Sequence, residues 1–452
     1  MRTAVLLFIF FLPFSISSGQ QLQEPTFPDT PAGNHVKAYL KAFNSGEEGM
    51  REFFSHHASK VALKDVPVEQ RIGRYRQMHE RLDSLTLQNI IESRDDFLSA
   101  LFRSTTGTIV KLEFEFEKSA PYGLLGVLVE DAGHEDEPAA PKKDNAELLA
   151  SVTEFLSRLS SMDEFSGVAV ITQNGKTIFK EAYGYADREK KNPNRTDTKF
   201  NIGSINKSFT SLAVRQLAAN GKLSLSDPIK KFLPDYPNKE AAEKVTVQHL
   251  LNMTSGIGDF FGEEYMSMPK EKLRSLKDYL PLFAGKPLEF VPGSRSRYSN
   301  GGYVVLGLII ERAAGTDYYT YVRDNIFKPA GMFETDSYEK DAAVPNRAVG
   351  YIREGSTRKP NYETLPERGS SAGGGYSTAE DLLKYTSALE KGTITPSDSK
   401  TLGGFGIAGG APGLNAALEW DPKSGYVIAV LSNFDPPSAE RAAKQIRNWL
   451  PR

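Results

Sequence analysis

S-x-x-K tetrads begin at Ser204, Ser267, Ser337, Ser356 and Ser397, and each pairs a hydroxyl nucleophile with an amine base. A serine hydroxyl attacks only when a base takes its proton, and a lysine is that base only where its surroundings hold it neutral. Context separates the tetrads. Ser204 alone opens a strong helical pattern, GSINKSFTSLAVRQLAANGKL, in which Ile205, Phe209, Leu212, Ala213 and Leu217 form one apolar stripe and Asn220-Gly221 supplies the stop. Residues three apart share a helix face, which brings Lys207 to Ser204. A helix N-terminus offers free N–H groups to an oxyanion and opposes a second positive charge, favouring a neutral lysine. On the tetrad alone, a plain N-cap serine with a solvated lysine stays open.

Other chemistries lose their residues. Of the histidines, His35, His56, His57, His79 and His134 lie in the first third of the chain and only His249 follows, which points to packing or loop-holding for it; no HExxH occurs. No GxxxxGK[ST] is present, and the count of zero cysteines excludes disulfides, thiolate zinc sites and a cysteine nucleophile. The expectation is therefore no metal and no cofactor. Net charge of -2 without a Lys/Arg block gives no nucleic-acid footprint. GSSAG at Gly369–Gly373 matches a nucleophile elbow, but loop-like PERGSS precedes it and His249 lies upstream, the wrong chain order. Ser377 and Glu380 read instead as a capping box for the helix carrying Leu382 and Leu383.

The elements that must position Ser204 fall into two blocks. Residues 1–19 read as a secretory signal, with Arg2 before an apolar run from Ala4 to Phe14 and then Ser17, Ser18 and Gly19. The expected product is periplasmic or secreted, without stable membrane insertion after cleavage. Residues 27–130 predict a small α+β accessory domain: Val36, Tyr39, Leu40 and Phe43, then Ile72, Tyr75 and Met78, fall at helical spacing, followed by the strand-like LTLQNIIE, GTIVKLEFEFE and YGLLGVLVE. Its layout loosely resembles the nuclear-transport-factor/ketosteroid-isomerase cone. Residues 131–144 have linker composition, and 145–452 form the second domain. There a helix leads into two strands joined by Asn174-Gly175, the C-terminal end mirrors this with NAALEW, YVIAVLSN and a helix from about Ser438, and the middle is mostly helix and loop. One antiparallel sheet built from both ends, flanked by helices and carrying a helical lobe, is the expected α/β fold.

The stretch from Phe200 to Asp259 resembles the β-lactamase-related serine hydrolases, which include class C β-lactamases, penicillin-binding proteins, DD-peptidases and esterases. FNIGSINKSFTS, LAANGKLSLSDPIKKFLPDYP and VTVQHLLNMTSGIGD run in the family's order, continuing into PGSRSRYSNGGYVVLGLIIERAAG and IFKPAGMFET. The resemblance implies Ser204 as nucleophile, Lys207 beside it, and Tyr298 and Asn300 of YSN as the second motif. The tyrosine would exchange protons with the serine and leaving group, its ionisation eased by a nearby cation, and the asparagine would bond the lysine and the substrate. The third motif departs: GIAGGAPG puts Ile407 where relatives carry Lys or His, and Ile407, Ala408 and Gly409 are expected on the substrate side. The Gly410 N–H would complete an oxyanion hole with that of Ser204. Acyl transfer on small esters, amides or peptides is expected, weak on β-lactams because Ile407 holds no carboxylate. Loss of that cation also supports the alternative of a non-catalytic sensor or binding protein built on the same fold.

Overall fold

The computed structural model describes residues 25–105, 108–134, 145–355, 357–396 and 404–450. The signal reading at 1–19, most of the linker and the tetrads at Ser356 and Ser397 fall outside them. The chain divides into two compact units, Met1–Pro138 and Ala139–Arg452.

In the first unit, α1 (Pro31–Asn44), α2 (Glu47–His57), α3 (Lys60–Asp65) and α4 (Val68–Leu82) precede β1 (Leu85–Arg94), β2 (Phe97–Ser104), β3 (Thr108–Phe116) and β4 (Leu124–His134). The strands form an antiparallel meander. Strict alternation in β3 buries Val110, Leu112, Phe114 and Phe116, in one core with Val36, Tyr39 and Phe43 of α1 and Ile72 and Tyr75 of α4. Neither α2, α3 nor β2 has a counterpart among the predicted elements; in FLSALFRS, apolar residues on both faces blur the alternation. Asp131–His134, expected as linker, instead continue β4, with Asp131 opposite Val110 and His134 opposite Thr108. Ladder pairing satisfies backbone groups whatever the side chains.

The second unit runs α5 (Asn145–Ser161), β5 (Gly167–Gln173), β6 (Lys176–Tyr183), α6 (Asn206–Ala219), α7 (Asn300–Ala314), α8 (Ala379–Glu390), β7 (Phe405–Ala411), β8 (Leu414–Asp421), β9 (Tyr426–Ser432) and α9 (Ser438–Trp449), with shorter turns between. Its main sheet is antiparallel in the order β7-β8-β9-β5-β6, assembled from both ends of the unit. Asn174 and Gly175 both take positive φ, 51° and 75°, as a tight two-residue hairpin requires.

Strand β5, GVAVITQ, is buried nearly throughout, because helices cover both faces. Ala169 and Ile171 face α5 and α9, against Leu148, Val152 and Leu156, and Ala442 and Ile446. Val168 and Val170 face the larger core with Phe209, Val304 and Ile309. The result is a three-layer sandwich with a helical lobe. Helix α7, NGGYVVLGLIIERAA, has almost no polar face and runs buried through that lobe. Helix α8 starts one residue later than predicted: Thr378 is its N-cap, accepting from Asp381 N at 3.1 Å. Ser377 ends a two-residue strand against Phe200, and its hydroxyl lies on Thr335 at 2.8 Å.

Candidate active site

Ser204 lies in the 3-10 turn Gly203–Ile205, immediately before α6. Gly203 makes the bend at φ +50°, and Ile202 and Ile205 anchor the turn in the core. The N-cap role open to Ser204 is therefore unfilled: its side chain faces Lys207 Nζ at 3.0 Å and accepts from Tyr298 OH at 2.7 Å. The three-residue spacing holds because the turn continues smoothly into the helix.

Lys207 is 7% exposed. Its Nζ donates to Asn300 Oδ1 at 2.7 Å and to the Ala372 carbonyl. The Tyr298 and Tyr303 rings lie 4.8 and 5.7 Å from it. Burial lowers its pKa from 10.5 to about 7, and the Asp259 carboxylate opposes part of that fall. A neutral amine has two N–H bonds and one lone pair. Asn300 Oδ1 and the Ala372 carbonyl can only accept, so they take the two N–H bonds and leave the lone pair aimed at Ser204 Oγ.

Tyr298 and Asn300 flank Ser299, the N-cap of α7, whose hydroxyl accepts from Gly302 N at 2.9 Å and donates to Gly258 O at 3.1 Å. A helix start thus explains the Y-x-N spacing: the tyrosine precedes the cap and the asparagine occupies the first turn. The expected ease of ionisation at Tyr298 is reversed. Burial raises its pKa above 10, so the phenol stays neutral and donates.

Asp259 completes the group, and its role was not anticipated. Its Oδ2 accepts from Asn300 Nδ2 at 2.7 Å and from Asn300 N at 3.2 Å, while its Oδ1 accepts from Phe261 N at 3.1 Å. A carboxylate cannot donate, so the Asn300 amide must turn its oxygen toward Lys207. Gly301 permits this approach, since a Cβ there would sit 2.4 Å from Gly258 O. No local pattern in the sequence marked Asp259 for this role.

GSSAG is not an elbow. The hydroxyl of Ser371, fully buried, donates to Tyr303 O at 2.8 Å, and Asn206 Nδ2 holds Ser370 O at 3.0 Å. The segment presents the Ala372 carbonyl to Lys207. His249 caps a short helix, its Nδ1 accepting from Thr246 N at 3.3 Å.

Edge strand β7 passes directly behind the Ser204 turn. A Cβ on Gly409 would lie 2.6 Å from Ser204 N, and one on Gly203 would lie 2.9 Å from Gly410 N. Only glycine fits, and the Ser204 and Gly410 amides come onto neighbouring segments. Strand alternation divides the third motif. Ala408 and Gly410 line a cavity of about 800 Å³ that also contains Ser204, Tyr298 and Asn300. Ile407 and Gly409, expected on the substrate side, are not among the lining residues; Ile407 packs against the larger core, and Gly409 meets the turn. Among the described residues no His/Asp/Glu cluster suited to a metal ion occurs.

A five-stranded antiparallel sheet between helical layers, with the serine turn wedged against its edge strand, defines the fold class of β-lactamases and penicillin-binding proteins. The chain belongs to the beta-lactamase family, whose model matches residues 154–402, more than half of its length. The Bacillus subtilis protein PbpX, named as a penicillin-binding protein, is 33% identical over 287 residues, covering 59% of this chain and 70% of that one. A crystal structure of a penicillin-binding protein from Bacillus halodurans superposes with a TM-score of 0.59 at 30% identity, over 66% of this chain and 99% of that one. The D-amino acid amidase of Ochrobactrum anthropi shares the fold, with a TM-score of 0.56 at 23% identity, over 67% of this chain and 99% of that one.

Proposed function

We propose that this chain is an exported serine hydrolase that cleaves small esters or amides through a covalent Ser204 ester and acts weakly on β-lactams. The lone pair of a buried lysine aimed at Ser204 Oγ carries the proposal. Lys207 takes the Ser204 proton as Oγ bonds to the substrate carbonyl carbon, and the carbonyl electron pair moves onto oxygen, facing the Ser204 and Gly410 N–H groups. Collapse breaks the bond to the leaving group, which departs with the proton passed from Lys207 through the Tyr298 hydroxyl. Water then attacks the acyl-enzyme with Lys207 again as base, releasing the acid and restoring Ser204.

Weak handling of β-lactams rests on the third motif, whose cavity-lining residues Ala408 and Gly410 supply no charge for their carboxylate. Export rests on the apolar Ala4–Phe14 run and the small residues after it; among the described residues no helix is long and apolar enough to cross a membrane. The deciding experiment is labelling with a fluorophosphonate probe beside turnover of a short-chain aryl ester, in wild type and Ser204→Ala. Both signals are expected in wild type and neither in the variant. An unlabelled, inactive wild type favours the non-catalytic sensor, and an active Ser204→Ala overturns the nucleophile.

A further inference from the structure

Past Asp259 the cavity acquires a wall that the chemistry above does not use. Phe260, Phe261, Tyr265 and Tyr279 form a continuous aromatic cluster on one side, with ring centres 4.5 Å apart for Phe260–Phe261, 4.8 Å for Phe261–Tyr265 and 4.9 Å for Phe260–Tyr279. Phe260 and Tyr279 are buried and form its base. Phe261 and Met266 stand at the surface, 54% and 71% exposed, although both line the cavity. Large apolar side chains left open beside a reactive group mark a place where a ligand covers them.

This wall is braced. Lys270 is 7% exposed, and its ammonium donates to three backbone carbonyls of the wall segment: Tyr265 O, Met266 O at 3.3 Å and Met268 O at 2.9 Å. An ammonium has three N–H bonds, so Lys270 has none left for a ligand. Asp259 ties the other end through the Phe261 N–H. The wall is held in place before any ligand arrives, which lowers the ordering cost of binding. Charge around the cavity does not favour anions: the other lining cation is Lys340, while Glu363, Glu367, Asp435 and Glu440 also line it, Glu367 and Asp435 in ion pairs with Arg274 and Arg358.

We infer that the preferred substrates are uncharged acyl donors carrying an aromatic ring close to the scissile carbonyl, seated on the Phe261–Tyr265 wall. The inference rests on the hydrolase reading and deepens it. Acyl groups such as phenylacetyl or phenylpropionyl have the reach and flatness to leave Ser204 and lie on Phe261, whereas an acetyl group leaves the wall bare. Aromatic contacts of this kind contribute about 0.5–1.5 kcal/mol beyond area burial, a factor of about two to twelve in transition-state binding.

The test compares 4-nitrophenyl acetate, phenylacetate and 3-phenylpropionate, which share a leaving group, in wild type and Phe261→Ala. A kcat/KM ratio of aromatic to acetyl ester of about ten in wild type, falling at least threefold in Phe261→Ala, is the expected result. Phe261 is half-exposed, and an unchanged thermal midpoint confirms folding of the variant. In parallel, binding of phenylacetamide and acetamide to Ser204→Ala is measured calorimetrically, which needs no turnover. If the acetyl ester reacts but the aromatic esters gain nothing and phenylacetamide binds no better than acetamide, the wall is not the acyl site and the inference falls. If no ester reacts while phenylacetamide alone binds and loses affinity in Ser204→Ala/Phe261→Ala, the wall stands and the hydrolase reading falls instead.

Discussion

Replacing Lys207 with arginine isolates the base from the charge. At pH 7 a lysine with a pKa of about 7 is half neutral, whereas an ordinary one at 10.5 is neutral about once in three thousand molecules. Burial therefore supplies about 1,500-fold more free base at pH 7, through a pKa shift that corresponds to about 5 kcal/mol against the ammonium. Arginine keeps the cation and can still donate toward Asn300 Oδ1 and Ala372 O, but it does not deprotonate in proteins. General-base assistance contributes about 10²- to 10⁴-fold, so Lys207→Arg is expected to lose that much in kcat/KM for a short-chain aryl ester. The assay is a pH profile from 5 to 9, with thermal unfolding to confirm the fold. In wild type kcat/KM should fall tenfold per pH unit below a midpoint near 7, the pKa of the free enzyme's base; the variant should be low throughout, with that limb gone. A folded Lys207→Arg enzyme within tenfold of wild type at neutral pH would refute the lone-pair argument, as would a wild-type acid limb below pH 5.

Other consequences follow from the same contacts. Asp259→Asn cannot accept from Phe261 and Asn300 together, so the Asn300 amide loses its fixed orientation; kcat/KM should drop about ten- to hundredfold, the scale of one charged hydrogen bond. Removing the carboxylate also lowers the Lys207 pKa further, so the acid limb should move to lower pH, and an unmoved limb would make Asp259 purely structural. Because the folded pKa of Lys207 lies below its unfolded value, the unfolded chain holds more protons between about pH 7 and 10.5 and wild-type stability gains with rising pH there. Lys207→Met lacks this dependence, so urea unfolding should show wild type gaining on the variant from pH 7 to 10, and a constant difference would contradict the buried-lysine picture. Ser204→Ala removes only the contacts to Lys207 and Tyr298 and should cost about 1 kcal/mol of stability, read from its denaturant midpoint.

Local pattern determined much of this protein. The three-residue spacing put Ser204 and Lys207 on one face, Asn174-Gly175 made a hairpin because both residues accept positive φ, and the alternation in β3 named its buried side chains in advance. These features depend on neighbours within a turn or a strand, so the chain carries them openly. Beyond the Tyr298–Ser204 and Asn300–Lys207 partnerships that the family resemblance implied, contacts that cross the sequence were not legible. Asp259 and Asn300 are 41 residues apart, and Lys207 and Ala372 are 165 apart; nothing local marks a carboxylate that orients an amide or a carbonyl that occupies an amine proton. Strand alternation turned Ile407 and Gly409 away from the cavity and Gly410 toward it, a choice set by how β7 lies against the Ser204 turn. Likewise the depressed Lys207 pKa and the raised Tyr298 pKa are properties of burial. Residue types supplied the acid and the base, and a phenol is neutral at pH 7 wherever it sits; only packing in three dimensions decided that the lysine is neutral too, because desolvation depends on everything that surrounds a group and not on its neighbours in sequence.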